Sequence, residues 1–302
     1  MSDFKIFSLV SLNRFTVQFG LLKMHLRPTA AADIPRCTTI HDAAFEGNEL
    51  SNFLAPDRAK YPLSWRQQAL KVQHNKYYQP NTWSFVCVAD TDDAFADVGE
   101  ILGYAHWVRR ASKEDAAADP WMRHMSVLER AEGWLRWAEL KWEETLRINP
   151  AVSWARKDAF MRVNVASTGF APIRATTHWY LDSLAVGPEY QRRGVARRLV
   201  DWGLQRALAE TEERVPVGKA PVPVALISTA PGLHLYRSLG LKVVGWEDDS
   251  FLDVSADGGS NMVWDRTGYW IQDIEHEQPI KRGVVEAVYT TKDSRKHSAS
   301  VS

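Results

Sequence analysis

Residues 184–196 carry the pattern with the clearest chemistry in this 302-residue chain. Their sequence is Leu-Ala-Val-Gly-Pro-Glu-Tyr-Gln-Arg-Arg-Gly-Val-Ala, in which an apolar strand end meets a proline and then a Gln-Arg-Arg-Gly turn. A helical pattern begins directly after the turn, so free backbone N–H groups and the positive end of a helix dipole meet at one point. That combination is suited to hold a pyrophosphate.

Taken alone, this segment could bind several kinds of phosphate-bearing ligand. It lacks the Gly-x-x-x-x-Gly-Lys pattern of a nucleotide P-loop, and it has only one of the glycines that a dinucleotide-binding turn requires. The strands and helices around it therefore have to decide the ligand.

Alternating strand and helix patterns surround the segment. Strands are predicted at residues 25–28, 82–89, 100–108, 179–186, 222–229, 241–246 and 261–265. Helices are predicted at residues 31–45, 57–75, 191–209 and 233–239. The acidic turn after residue 89 predicts that the second and third strands form a hairpin, and residues 210–217 are predicted to be a charged loop.

A long insertion, residues 110–177, separates the third strand from the fourth. Within it, residues 125–148 follow a helical pattern that places Trp134, Trp137, Leu140 and Trp142 on or near one face. A helix packed through these aromatic side chains is the favoured interpretation. The alternative is that the rings line a substrate cleft, because insertions beside an active site often carry specificity.

The composition narrows the class of protein. The chain is 45% hydrophobic and 25% charged, and 37 basic residues balance 37 acidic ones. The zero net charge argues against a nucleic-acid partner or an anionic membrane partner, and no apolar run approaches membrane-spanning length. Cys37 and Cys87 have no metal-ligand spacing and no disulfide framework, which predicts a metal-free, cytoplasmic protein.

Both ends of the chain are predicted to lie outside the folded domain. Residues 1–23 lack the unbroken apolar core of a secretory signal, and a dispensable extension is preferred over a weak mitochondrial presequence. Residues 267–302 become polar and rich in Lys and Ser, which predicts a flexible tail. One domain is therefore expected at residues 24–266.

Residues 184–196 resemble the acetyl-CoA motif of the Gcn5-related N-acetyltransferase (GNAT) superfamily, Val-x-Pro-x-x-Gln/Arg-x-x-Gly-x-Gly/Ala. Residues 228–241 are similar to its second signature, a strand followed by a helix bearing Leu-Tyr-x-x-Leu-Gly. The opening Leu-Arg-Pro at residues 26–28, with Asp33 after it, resembles the first strand and helix of that superfamily. Together the motifs cover residues 24–265, with the insertion outside the common core.

The resemblance implies an α+β fold in three layers, with a mixed, mostly antiparallel sheet, helices on both faces and a splayed strand pair. Acetyl-CoA, the implied acyl donor, would lie between the splayed strands, with its pantetheine amides paired as an added strand pairs with a sheet edge. Its pyrophosphate would meet the backbone of residues 192–196. The implied cofactor-binding residues are Leu184, Ala185, Val186, Gln191, Arg192, Arg193, Gly194, Val195, Ala196 and Arg197.

Four arginines at 192, 193, 197 and 198 have three interpretations. The motif favours neutralisation of the pyrophosphate and 3′-phosphate by some of them. A solvated helix face is an equal alternative for Arg197 and Arg198. A nucleic-acid patch is disfavoured, because no aromatic interleaving or wider basic surface accompanies the cluster.

Direct acyl transfer from a thioester to an amine requires a base and an acid. Tyr236 is the predicted acid, because the resembled superfamily often has a tyrosine near the CoA sulfur; a tyrosine that only packs is the alternative. Asp182 is the predicted base or ammonium-attracting group, at a position where arylalkylamine-type members have a histidine. Strand alternation predicts that it shares a face with Tyr180 and Leu184, and a purely structural role is equally open.

Three further side chains are weaker candidates. His106 and His178 are alternatives for the base, although a lone histidine is more often structural. Glu100 is a candidate acidic contact for the substrate, although nothing in the sequence fixes its direction.

Three functions from different classes remain. The leading one is an acetyl-CoA-dependent N-acetyltransferase that acts on the primary amine of a small molecule. The second is a protein acetyltransferase for a lysine or an N-terminus, and the third is a non-catalytic acyl-CoA-binding module. No residue pattern specifies the acyl length or the oligomeric state.

Overall fold

The computed structural model describes residues 23–90, 96–116, 122–166, 173, 175–246, 260–267 and 269–270. Seven strands within these residues form one sheet in the order β1-β2-β3-β4-β5-β7-β6. They are β1 (Met24–Pro28), β2 (Thr82–Ala89), β3 (Ile101–Arg110), β4 (His178–Val186), β5 (Val224–Ser228), β6 (Lys242–Trp246) and β7 (Ser260–Trp264). Only β4 and β5 run parallel, so the predicted mixed, mostly antiparallel sheet is confirmed, as is the β2–β3 hairpin.

Helices cover both faces of the sheet, as predicted. They are α1 (Ile34–Ala44), α2 (Glu49–Leu54), α3 (Pro62–Tyr77), α4 (Val127–Leu146), α5 (Trp154–Ala166), α6 (Val195–Arg214) and α7 (Ala230–Ser238). Helices α1 and α3 pack on one face, α6 packs on the other, and α4 lies outside α3. No helix in the described residues combines the length and apolarity needed to cross a membrane.

Helix α6 differs from its predicted bounds at both ends. It begins at Val195 rather than at residue 191, because Arg192 (φ 60°) and Gly194 (φ 85°) adopt left-handed backbone conformations that an α-helix excludes. It continues to Arg214, so the charged loop predicted at residues 210–217 is wrong. Charge in this stretch does not mean exposure, because Glu210 is buried and accepts hydrogen bonds from Arg109 Nε (3.0 Å) and Trp179 Nε1 (3.0 Å).

Two helices, α2 and α5, were not predicted. Helix α2 has six residues, too few for a 3.6-residue apolar period to be recognised. Its start is fixed by Asn48, whose side chain accepts a hydrogen bond from the Ser51 N–H (3.0 Å). Helix α5 lies in the insertion, where its apolar residues follow no single face.

Four tryptophans meet between the sheet and α6. The ring of Trp202 lies 6.3, 6.4 and 5.8 Å between centroids from the rings of Trp83, Trp107 and Trp179. Trp107 also donates from Nε1 to the Leu199 carbonyl (3.2 Å), which ties the sheet to the helix backbone. This tryptophan cluster fixes the position of α6 on the sheet.

Gly203 allows α6 to approach the tryptophan cluster closely. A Cβ at this position would lie 2.3 Å from the Trp107 ring. We therefore expect Gly203→Ala to lower the free energy of unfolding by about 1–3 kcal/mol, although the same change on an exposed helix face raises it. Urea denaturation of both proteins measures the difference, and an unchanged or higher midpoint would contradict the close packing.

Helix α4 does not pack through its tryptophans, so that prediction is wrong. Trp134, Trp137 and Trp142 are 64%, 46% and 65% exposed. The buried face of α4 instead carries Gly133 and Glu143, with Leu140 between them. Gly133 lies against Tyr78, and Glu143 pairs with Lys71 of α3 (2.7 Å), so a close approach and an ion pair replace the aromatic contacts.

Candidate active site

Strands β4 and β5 pair over only three residues before they diverge. Residues 179–181 of β4 lie opposite residues 224–226 of β5. Beyond them, β4 continues to pair with β3 as far as Val186, while β5 continues to pair with β7 as far as Ser228. The two open edges form a V-shaped gap, as the resemblance implied, and main-chain groups along such an edge can pair with an extended ligand.

The N-terminus of α6 follows the open end of β4. Its first helical hydrogen bond runs from the Arg198 N–H to the Gly194 carbonyl (3.1 Å), which leaves the N–H groups of Val195, Ala196 and Arg197 without a helical acceptor. No side chain caps them. A Cβ on Gly194 would meet nothing within 4 Å, so this backbone borders open space that an anion can enter.

Two residues fix the loop that leads to α6. Gln191 donates from Nε2 to the Val186 carbonyl (3.3 Å) and so closes the turn. Gly103 of β3 provides room, because a Cβ there would lie 2.8 Å from the Ala185 carbonyl oxygen and 3.0 Å from Val195. Gly103 was not among the predicted site residues, although a glycine inside a strand is itself a signal of close backbone approach.

The structure separates the four arginines by their contacts. Arg198 donates to the Met24 carbonyl (2.6 Å) and ties α6 to β1. Arg197 donates to Ser238 Oγ of α7 (3.0 Å), and Arg193 Nε to the Glu189 carbonyl (3.3 Å). Arg192 forms neither a hydrogen bond nor an ion pair with the described residues, so its guanidinium is available to a ligand.

Tyr236 lies on α7, which begins directly after β5 and touches the first turn of α6 through Ser238. Its ring is 7% exposed and packs against Gly232, where a Cβ would lie 2.8 Å from the ring. Its hydroxyl forms no hydrogen bond with the described part of the chain. Burial raises the pKa of Tyr236, so the phenol keeps its proton at neutral pH, the state that a general acid needs.

Asp182 lies in a bulge of β4. His106 of β3 is opposite Ser183 and Trp107 is opposite Leu181, so Asp182 has no partner across the strands. Leu181 is also the last β4 residue paired with β5, which places Asp182 at the apex of the gap.

The bulge overturns one prediction from strand alternation. Leu184 packs against the core cluster on the α6 side, whereas Tyr180 packs against a cluster on the opposite face. Tyr180, Asp182 and Leu184 therefore do not share one face, because the extra residue shifts the alternation by one position.

Lys76, in the last turn of α3, forms an ion pair with Asp182. The distance from Nζ to Oδ2 is 2.7 Å, and the two side chains are 31% and 28% exposed. Burial pushes the pKa of Asp182 upward, but the attraction of Lys76 outweighs it and the pKa lies below its usual value. No sequence motif marks Lys76, because only the folded packing of α3 on β4 brings it to this site.

The two candidate histidines are buried and form hydrogen bonds within the fold. His106 is buried, with Nδ1 bonded to Ser84 Oγ (2.6 Å) and Nε2 to Gln73 Oε1 (2.6 Å), and burial lowers its pKa to about 3. His178 is buried with Nδ1 bonded to the Thr176 carbonyl (2.8 Å), and burial lowers its pKa to about 4. His106 thus has no free ring nitrogen with which to take a proton.

Glu100, the candidate acidic contact for the substrate, is also bound to other residues of the fold. Its carboxylate pairs with Arg36 of α1 at 2.9 Å. It further accepts a hydrogen bond from the Tyr190 hydroxyl, beside the turn that precedes α6. Glu100 therefore ties α1 to that turn.

Neutral His106 makes the fold sensitive to acid. Its pKa is about 3 in the folded protein and about 6.5 in the unfolded chain, so between these values only the unfolded chain binds the proton. Stability should therefore fall with decreasing pH in that window, by at most about 1.4 kcal/mol per pH unit from this group. Urea denaturation from about pH 7 to about pH 4 measures it, and His106→Gln should show a shallower slope. Equal slopes would contradict a neutral, buried His106.

The splayed strand pair and the uncapped start of α6 are the two features that the resemblance to GNAT acetyltransferases implied. Residues 55–218 match the model of the Acetyltransferase (GNAT) family. The match spans more than half of the 302 residues, and the chain belongs to this family, as its motifs predicted. It is an acetyltransferase that depends on acetyl-CoA.

Three of the solved structures to which this chain is similar are the following acetyltransferases. One, from Corynebacterium glutamicum, is described as histone acetyltransferase HPA2 and related acetyltransferase (16% identity, 86% of this chain and 99% of that chain, TM-score 0.45). Another is arylalkylamine N-acetyltransferase 2 from Aedes aegypti (12% identity, 80% of this chain and 98% of that chain, TM-score 0.44). The third is a GNAT family acetyltransferase from Brucella melitensis in complex with acetyl-CoA (12% identity, 87% of this chain and 97% of that chain, TM-score 0.36). A comparison with curated proteins gave no match, so the family assignment rests on the sequence model.

Proposed function

We propose that the protein transfers an acetyl group directly from acetyl-CoA to the primary amine of a small molecule. The observation that supports this most is the gap between β4 and β5, which has the open α6 N-terminus beyond its wide end and a carboxylate at its apex. That carboxylate, Asp182, is 28% exposed and pairs with Lys76. Because this carboxylate is partly buried, a compact acceptor would reach it more easily than a large one.

The donor would be held by backbone as much as by side chains. The N–H groups of Gly194, Val195 and Ala196 would hold the pyrophosphate, and Arg192 would supply positive charge. Residues 184–186 would pair with the pantetheine amides, beside the turn that Gln191 closes. Arg193 and Arg197 would flank this site while they keep their bonds to Glu189 and Ser238.

Two side chains would assist the proton transfers of the reaction. Asp182 would attract and orient the acceptor ammonium, and because its pKa is low the proton would pass through water to solvent. The freed amine nitrogen forms the new C–N bond to the acyl carbon as the C–S bond of acetyl-CoA breaks, and it then loses a second proton through water to solvent, which leaves the neutral amide. Tyr236 would donate its hydroxyl proton to the departing thiolate and regain a proton from solvent.

We also infer that residues 24–266 form the catalytic unit and that this unit needs no metal. We infer further that the protein works in the cytoplasm. Cys37 and Cys87 are unpaired and buried, and burial raises the pKa of both thiols to about 12, which suits inert thiols in a reducing compartment. Full activity of a protein limited to residues 24–266, in the presence of a chelator, is the expected result. Loss of activity on either treatment would contradict this part of the proposal.

CoASH release from acetyl-CoA tests the proposed reaction. The acceptors are a panel of small primary amines, a lysine-containing peptide and a peptide with a free N-terminus. We expect release with at least one small amine and none with the peptides. Release with a peptide alone would identify a protein acetyltransferase. Binding of acetyl-CoA without release in the presence of any acceptor would identify a non-catalytic acyl-CoA-binding module.

A further inference from the structure

We propose that the acceptor is an amine that also carries a carboxylate, and that Lys76 and Asp182 together select it. This inference rests on the proposed function, because it assigns the substrate class of the same site. It starts from the ion pair at the apex of the β4–β5 gap, where Lys76 Nζ lies 2.7 Å from Asp182 Oδ2.

The ion pair sets a condition on any amine that reaches Asp182. An incoming ammonium that takes the place of Lys76 at Oδ2 leaves Lys76 as an uncompensated cation in a partly buried position, 31% exposed, and an ammonium that binds to Oδ1 stands beside a second cation. A zwitterionic acceptor avoids this cost. Its ammonium takes the place of Lys76 beside Asp182, and its carboxylate takes the place of Asp182 beside Lys76, so every charge keeps a partner.

The surrounding charges favour an anionic group on the acceptor. The Arg110 guanidinium lies 4.2 Å from the centroid of the Tyr180 ring, two residues before Asp182 on the same strand. Both Lys76 and Arg110 help to keep the pKa of Asp182 low, as expected of two nearby cations. His106 is neutral because of its low pKa, so the charges around the bulge sum to one net positive charge.

Lys76 can leave Asp182 without breaking another ion pair of the described residues. Among the described residues, its only ion pair is the one with Asp182. Lys71, on the same helix, is by contrast bound to both Glu143 (2.7 Å) and Glu139 (3.3 Å) of α4, and so joins two helices. The two lysines therefore provide a matched pair of variants on one helix, one at the site and one remote from it.

Sets of three matched acceptors test the inference: an amino acid, its methyl ester and the decarboxylated amine. The wild-type kcat/KM for CoASH release should be at least about tenfold higher for the acid than for the ester, which corresponds to one charge-assisted hydrogen bond. Lys76→Gln should lower the value for the acid about tenfold and leave the value for the ester within about threefold. Lys76→Arg should keep the preference, and Lys71→Gln should leave both values unchanged.

A binding measurement separates selection from catalysis and from misfolding. Calorimetric titration of the acid into protein saturated with CoASH should give a Kd about tenfold higher for Lys76→Gln than for Lys71→Gln. Release from decarboxylated amines or esters as fast as from the acids would overturn the inference and leave the proposed function intact. An equal loss for acid and ester in Lys76→Gln would also overturn it. Absence of release with every acceptor would instead remove the proposed function.

Discussion

Replacement of Tyr236 by phenylalanine is expected to lower kcat for CoASH release by about 100-fold or more, the usual contribution of a positioned general acid. The phenylalanine ring keeps the contact with Gly232, so the fold and the KM for acetyl-CoA should change little. Only the hydroxyl is removed, and in the folded protein that hydroxyl has no hydrogen-bond partner among the described residues and a pKa raised by burial. Initial rates of thiol release over a range of acetyl-CoA concentrations measure both constants.

Tyr78→Phe is the control for this variant. Tyr78 lies against Gly133 of α4 and is not part of the proposed site, so the loss of its hydroxyl should leave kcat unchanged. If Tyr236→Phe retains kcat within about threefold of the wild type, Tyr236 is not the proton donor and its role is confined to packing.

Alanine at Gly194 is expected to weaken acetyl-CoA binding by about tenfold or more, in line with the usual cost of an added methyl group in a close contact. Gly194 has φ 85°, and its missing Cβ would project into open space beside the free N–H groups of α6. A methyl group there would occupy the volume that the pyrophosphate needs. The Kd of acetyl-CoA by calorimetry is the measurement.

Gly218→Ala supplies a control with the same backbone cost. Gly218 has φ 76° and also has nothing within 4 Å of its missing Cβ, but it lies in the turn after the C-terminal end of α6. Both variants should lose about 1–2 kcal/mol of folding free energy from the left-handed conformation. Only Gly194→Ala should lose affinity for acetyl-CoA. A similar Kd in the two variants would show that the phosphates bind elsewhere.

The sequence predicted those features that depend on local pattern. Strand β2 was predicted with the bounds that the structure has, because its apolar run is ended by turn residues on both sides. The start of α6 was placed four residues too early, yet the Gln-Arg-Arg-Gly turn was correctly taken as the point where backbone N–H groups become available. Both signals lie within a few residues of the feature they specify.

The arrangement around Asp182 could not be predicted, because it depends on pairing between distant segments. The bulge exists only through the register of β4 against β3, and the ion pair only through the packing of α3, about a hundred residues earlier in the chain. Strand alternation assumes an unbroken register, and one unpaired residue defeats it. The predicted aromatic packing of α4 failed for a related reason, because helical periodicity does not specify which face meets a neighbouring helix.

Seven of the 13 tryptophans form two optical populations in the intrinsic fluorescence of this protein. The four rings between the sheet and α6, of which Trp107 and Trp179 are fully buried, are close enough to exchange excitation energy and should emit at shorter wavelength. The three on α4 face water and should emit further to the red, within reach of a dissolved quencher. With that quencher present, part of the remaining emission would report on α6, whose first turn would face the donor in the proposed site, and ligand arrival could be followed without a label.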